Sequence, residues 1–157
     1  MELAHQYINL AKIWTTKLVY ENKDAIIESI EKNQITLAKA GTGVGKTILI
    51  PRIALHAFDY KENVICTIPK KILTRKNAEF VAQCMDVKIG EHVGYFYKDG
   101  KEINKNGIET KLTFTTTGSL ISSITGSDPL LRNYKCVIVD EVHERSVETD
   151  LLLLLLK

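Results

Sequence analysis

Lys46 and Thr47 close a run of small residues, Ala40-Gly41-Thr42-Gly43-Val44-Gly45-Lys46-Thr47. Glycines at this spacing let successive backbone N–H groups turn inward around an anion. A helix beginning near Gly45 adds the positive end of its dipole. In this setting Lys46 would hold the β- and γ-phosphates of ATP or another NTP, and Thr47 would hold Mg²⁺ through its hydroxyl. The nucleotide-binding set is then Gly41, Thr42, Gly43, Val44, Gly45, Lys46 and Thr47. The strict phosphate-loop pattern has glycine where this chain has Ala40, but a methyl group at the loop entrance need not touch the phosphates. A second constellation is Val137-Ile138-Val139-Asp140-Glu141, an apolar strand ending in two carboxylates. Side chains at the carboxyl end of a parallel strand face the ligand crevice. Asp140 would bind Mg²⁺ through water, opposite Thr47, and Glu141 would orient or deprotonate the attacking water. Taken singly, each has a plainer explanation: a glycine turn joining strand to helix, or two acids favouring a helix start. Their joint presence, in order, argues for phosphate chemistry.

Such a site needs a sheet that presents loops along one rim. Strand-like stretches fall at Gln34–Lys39, Asn63–Ile68, His92–Tyr97, Lys111–Thr115 and Lys135–Val139. Helical stretches fall between them, at Asn22–Lys32, Lys46–Phe58, Lys70–Met85 and Ser119–Ile124. Ile26, Ile27 and Ile30 recur at helical spacing, and that helix is expected to pack on the sheet edge. Lys135–Val139 is almost wholly apolar, as a central parallel strand buried on both faces should be. The alternation predicts a parallel sheet wrapped by helices. Asp99, Gly100, Asn104, Asn106 and Gly107 mark an exposed, turn-rich connection.

The 157 residues suffice for one domain, with 45% hydrophobic and 25% charged residues as in an ordinary globular protein. A net charge of +2 announces no overall basic field, though a local basic strip would serve a nucleic acid equally well. Cys66, Cys84 and Cys136 follow no metal-ligand spacing and read as reduced, mostly buried thiols. The N-terminus lacks an unbroken apolar segment, and Leu151–Leu156 is too short to span a bilayer. The expectation is an intracellular protein of cytoplasm or nucleus, or one packaged in a virus.

Asp140-Glu141-Val142-His143-Glu144-Arg145 resembles motif II of the DEAH/DExH-box helicases of superfamily 2, in the DEVH form also seen in helicases of large DNA viruses. Ser127-Asp128-Pro129-Leu130-Leu131, Thr149-Asp150-Leu151-Leu152, and Pro51 four residues after Thr47 resemble the family as well. Cys66-Thr67-Ile68-Pro69-Lys70-Lys71 resembles motif Ia, whose usual basic pair is two arginines, and Gly90, Val93, Gly94 and Tyr95 resemble the stretch that follows it. Thr116-Thr117-Gly118 resembles motif Ib, although an acidic residue is usual at position 117. The resemblance implies a RecA-like P-loop NTPase domain with helices on both faces of the sheet. Residues 1–20 would be a helical segment and residues 21–157 the first ATP-binding domain. It further implies hydrolysis of NTP coupled to movement along single-stranded nucleic acid, usually RNA. Pro69, Lys70, Lys71, Thr116 and Gly118 would hold the strand's phosphates. Read without the resemblance, Lys70 and Lys71 are two solvated lysines. His143 would couple the nucleotide site to the rest of the motor. Phe80 stands where many relatives place an arginine that stacks on adenine; a ring can stack on a base or simply fill a core.

The family's Ser-Ala-Thr strand and its second RecA-like domain, with its arginine fingers, do not appear before Lys157. The chain therefore reads as a fragment or truncated product, with a leucine run left uncovered. Three functions stay open: an RNA helicase, a DNA translocase with the same motor, and a nucleotide- and RNA-binding module without catalysis of its own.

Overall fold

The computed structural model describes residues 2–157, with side chains described from Ile8 onward. In chain order the elements are α1 (Glu2–Trp14), α2 (Leu18–Glu21), α3 (Lys23–Lys32), α4 (Lys46–Ala57), β1 (Val64–Ile68), α5 (Lys71–Cys84), β2 (Val93–Tyr97), β3 (Gly100–Glu102), β4 (Leu112–Thr116), α6 (Thr117–Thr125), β5 (Cys136–Val139) and α7 (Val147–Leu155). Single 3-10 turns lie at Lys105–Gly107 and Val142–Glu144.

The strands form one sheet in the order β3-β2-β4-β1-β5. Pairs β1–β4, β1–β5 and β2–β4 are parallel, and only β2–β3 is antiparallel. The sheet is thus not purely parallel: a two-residue loop, Lys98-Asp99, folds β3 back on β2, with Tyr97 opposite Gly100. That hairpin occupies the start of the region expected to be an irregular connection.

β1 (Val-Ile-Cys-Thr-Ile) and β4 (Leu-Thr-Phe-Thr-Thr) are buried at every position, which requires cover on both faces. Val64, Cys66, Ile68, Leu112 and Phe114 pack with Ala54 and Leu55 of α4 and Ala78, Val81 and Ala82 of α5. Ile65 points to the opposite face, against Leu120 and Ile124 of α6 and Leu152 of α7. Helices therefore lie on both faces, the arrangement of a RecA-like domain. Two expectations about strands fail. Gln34–Lys39 forms no strand: it joins no ladder, and Ile35 and Leu37 are 84% and 85% exposed. β5 is an edge strand among the described residues, and its four residues are only half-buried. Apolar composition alone cannot say whether a strand has one neighbour or two.

The N-terminal helices pack on α4, not on the sheet edge. Trp14, Ile26 and Ile27 meet Val19, Leu49 and Ile53, and the Arg52 guanidinium lies 4.3 Å from the centre of the Trp14 ring. Cys66 and Cys84 are buried free thiols, and Cys136 is half-buried and free. No helix among the described residues is long and apolar enough to cross a membrane.

Candidate functional site

Parallel register places Ile68 beside Thr116 and Thr67 beside Val139. The segments after β1, β4 and β5 therefore leave the sheet along one rim. These are Pro69-Lys70-Lys71, Thr116-Thr117-Gly118 and Asp140-Glu141, so three separate sequence signals converge by topology alone.

The phosphate loop reaches this rim from residues 41–45. Gly43 and Gly45 have φ of +74° and +95°, a region that L side chains rarely adopt, so the inward turn of the amides depends on glycine here. Gly45 is the N-cap of α4 and offers no side-chain acceptor to the first helical N–H groups. Those donors, with the loop amides and the helix dipole, make an anion cradle. Lys46 Nζ donates to the carbonyl oxygens of Ala40 at 2.7 Å and Gly41 at 2.5 Å. The ammonium thus spans the mouth of its own loop and must leave those carbonyls to reach a phosphate.

Thr47 Oγ1 donates to Asp140 Oδ2 at 2.6 Å across 93 residues of sequence. Asp140 Oδ1 accepts from the backbone N–H of Glu141 at 2.9 Å, which fixes the carboxylate plane. Glu141 has φ +54° and ψ +32°, a left-handed conformation for a residue with a side chain, and caps the turn Val142–Glu144. Its Oε2 lies 3.3 Å from His143 Nδ1, and the His143 side chain is otherwise 74% exposed. Arg145, also left-handed at φ +50°, closes the turn and donates to both oxygens of Asp150 on α7. That pairing holds the Asp150 carboxyl below its usual range. Ser146 Oγ accepts from Thr149 N–H, so α7 begins on a side-chain cap. Beneath the carboxylates, burial pushes the Cys66 thiol well up, and Asp140 adds to the effect.

Thr47 and Asp140 supply hard oxygen donors side by side, the chemistry that suits Mg²⁺. Among the described residues no group of three His, Cys, Asp or Glu side chains forms a metal cage.

The residues expected to hold a strand divide. Pro69, Lys71, Thr116 and Gly118 line one cavity of about 560 Å³, together with Tyr97 and Glu148. Lys70 is exposed outside that lining and caps α5 without a side-chain acceptor. Lys71 is ion-paired to Asp99. Phe80 is 40% exposed and belongs to none of the core clusters. Asp99 and Glu148 were not anticipated at this rim: Asp-Gly at 99–100 signals a hairpin turn, and nothing in the local pattern says which helix the turn will touch.

A glycine cradle at a helix start, joined through Thr47 to an acidic end of a parallel strand, has the layout of a P-loop domain. The model of the DEAD/DEAH box helicase family matches residues 20–152. The chain belongs to that family. It is 38% identical, over 96% of its length, to a protein of Acanthamoeba polyphaga mimivirus named as an ATP-dependent RNA helicase. It is 33% identical over 84% of its length to zinc finger CCCH domain-containing protein 4 of Oryza sativa subsp. japonica, and 35% identical over 88% to ATP-dependent RNA helicase HrpA of Borreliella burgdorferi. The chain spans 21%, 13% and 16% of the lengths of those relatives.

Proposed function

We propose that this chain is the nucleotide-hydrolysing domain of an ATP-driven motor that works on single-stranded RNA. The observation that carries the reading is the 2.6 Å contact between Thr47 and Asp140, which joins the phosphate loop to the acidic strand end. On binding ATP, Lys46 exchanges the carbonyls of Ala40 and Gly41 for terminal phosphate oxygens, and the loop amides close around the remainder. Thr47, and Asp140 through water, would hold Mg²⁺, which would supply neutralisation of the phosphate charge when bound. Glu141 accepts the proton of a water aimed at the γ-phosphorus; the new P–O bond forms as the bond to the ADP oxygen breaks. His143, in contact with Glu141, reports the state of the carboxylate to neighbouring elements. A second RecA-like domain supplies cations for the transition state, as the family resemblance implies. RNA as the strand is favoured by the names of the mimivirus and Borreliella relatives. Phosphate contact through Lys70, Lys71 and the Thr116–Gly118 turn suits a track whose sequence is not read.

The test is RNA-stimulated ATP hydrolysis by the parent protein and by Glu141→Gln. The variant should bind nucleotide with nearly unchanged affinity and lose turnover, about 10²-fold or more, because an amide cannot take the proton. Loss of binding with turnover per bound nucleotide intact would make Glu141 a metal ligand instead of the base.

A further inference from the structure

The two lysines at the start of α5 are not equally available. Lys70 makes no ion pair or hydrogen bond through its side chain among the described residues. Lys71 donates to Asp99 Oδ2, and that hydrogen bond holds the Asp99 carboxyl below its ordinary range. Asp99 occupies the two-residue loop at the tip of the β2–β3 hairpin, so the ion pair ties the tip to the helix start. It stands between two cavities. One holds Pro69, Thr116 and Gly118; the other, of about 600 Å³, runs along the outer face of α5 past Ile72, Arg75 and Lys76. Lys71 and Tyr97 line both.

An ammonium is a compact point charge, and it cannot serve a carboxylate and a phosphate at full strength together. A phosphate arriving at Lys71 must part the pair, and the released carboxylate then sits beside the incoming negative charge. We propose that Asp99 occupies the phosphate position at Lys71 in the free protein, so that the hairpin tip competes with the single strand for this cation. This inference rests on the assignment of Lys71 to phosphate contact under the proposed function. Its consequence is a strand held more loosely, and released more readily, than the basic residues alone would dictate.

The experiment is a double-mutant cycle on the protein: parent, Asp99→Asn, Lys71→Ala and the combination. Affinity for a short labelled oligouridylate is read by anisotropy across a potassium chloride series. Asp99→Asn should tighten binding at low salt by up to about fivefold, the upper range for an exposed ion pair. It should also steepen the salt dependence by up to about 0.7 in slope, one single-strand phosphate contact. Lys71→Ala should then cost more in the Asp99→Asn background than in the parent. If Lys71→Ala costs the same non-zero factor in both backgrounds, Asp99 acts only as a diffuse charge and the competition is refuted, while phosphate contact stands. If it costs nothing in either background, phosphate contact at Lys71 fails and the competition fails with it. Asp99 is exposed and asparagine matches its shape, so the comparison does not turn on folding.

Discussion

Replacing each phosphate-loop glycine by alanine should produce a graded series. At Gly45 the added Cβ meets Leu49 Cδ1 at 2.8 Å, and φ is +95°. Leu49 is 2% exposed, so its side chain cannot swing into solvent. The left-handed conformation costs about 1–2 kcal/mol, and forcing a methyl into a packed site about 1–3 kcal/mol. The stiffer unfolded chain returns about 0.4–1 kcal/mol, which leaves Gly45→Ala destabilised by about 1–4.6 kcal/mol. Gly43 has φ +74° but open space around its Cβ, so only the conformational cost applies, for a net loss of about 1 kcal/mol. Gly41 has neither a left-handed φ nor any neighbour within 4 Å, and its alanine variant should be as stable as the parent or slightly more so. Urea denaturation followed by circular dichroism should rank the variants 41, 43, 45 from most to least stable. Calorimetry should show weaker ATP binding for Gly41→Ala if the added methyl faces the cradle, and unchanged binding if it faces solvent. A Gly45→Ala variant that unfolds at the same urea concentration as Gly41→Ala would refute the packing of this loop on Leu49.

Lys46→Ala should abolish measurable ATP–Mg²⁺ binding in calorimetry while leaving the denaturation midpoint nearly unchanged, since among the described residues its ammonium hydrogen-bonds to carbonyls of its own loop alone. Phe80→Ala should weaken ATP and GTP alike by about 1–3 kcal/mol if the ring stacks on the base, with tripolyphosphate binding unaffected; equal losses for all three ligands would remove the stacking role. Asp150 has a folded pKa below its unfolded value, so its pairing with Arg145 contributes fully above the unfolded value, near pH 3.9, and is lost as pH falls through the lower folded value. Melting temperatures of the parent and Asp150→Asn should therefore differ at neutral pH and converge only below about pH 4. Curves that show no narrowing as pH falls below the unfolded value would disconnect this pair from stability.

The two halves of the candidate site were legible because each is a local pattern with its own chemistry: glycine spacing at 41, 43 and 45, and an apolar strand running into Asp140-Glu141. Packing of α4 on β1 and β4 brings Thr47 to Asp140, although among the described residues no strand precedes the loop. What stayed hidden depends on partners distant in the chain. Gln34–Lys39 has strand composition, yet a strand exists only when a neighbour accepts its hydrogen bonds. β5 reads as central because composition reports burial potential, not the number of neighbours. The two readings of Phe80 were undecidable from helical spacing, since the same position serves a core or a surface; its exposure removes the core-filling one. Asp99 was visible only as a turn former, because an ion pair across 28 positions leaves no periodic trace.

On the role proposed for Glu141 as the base, its left-handed backbone sets stability and chemistry against each other at one residue. Glycine or asparagine would rest there more comfortably than glutamate, and glycine equally so at Arg145. A variant library screened only for survival of heating should therefore drift toward glycine or asparagine at 141 and, on that role, lose turnover as it gains stability. The same library screened for turnover should keep glutamate and accept the softer fold. Resistant but inactive clones carrying that single exchange would be the signature of a carboxylate kept in place by selection against the preference of its own backbone.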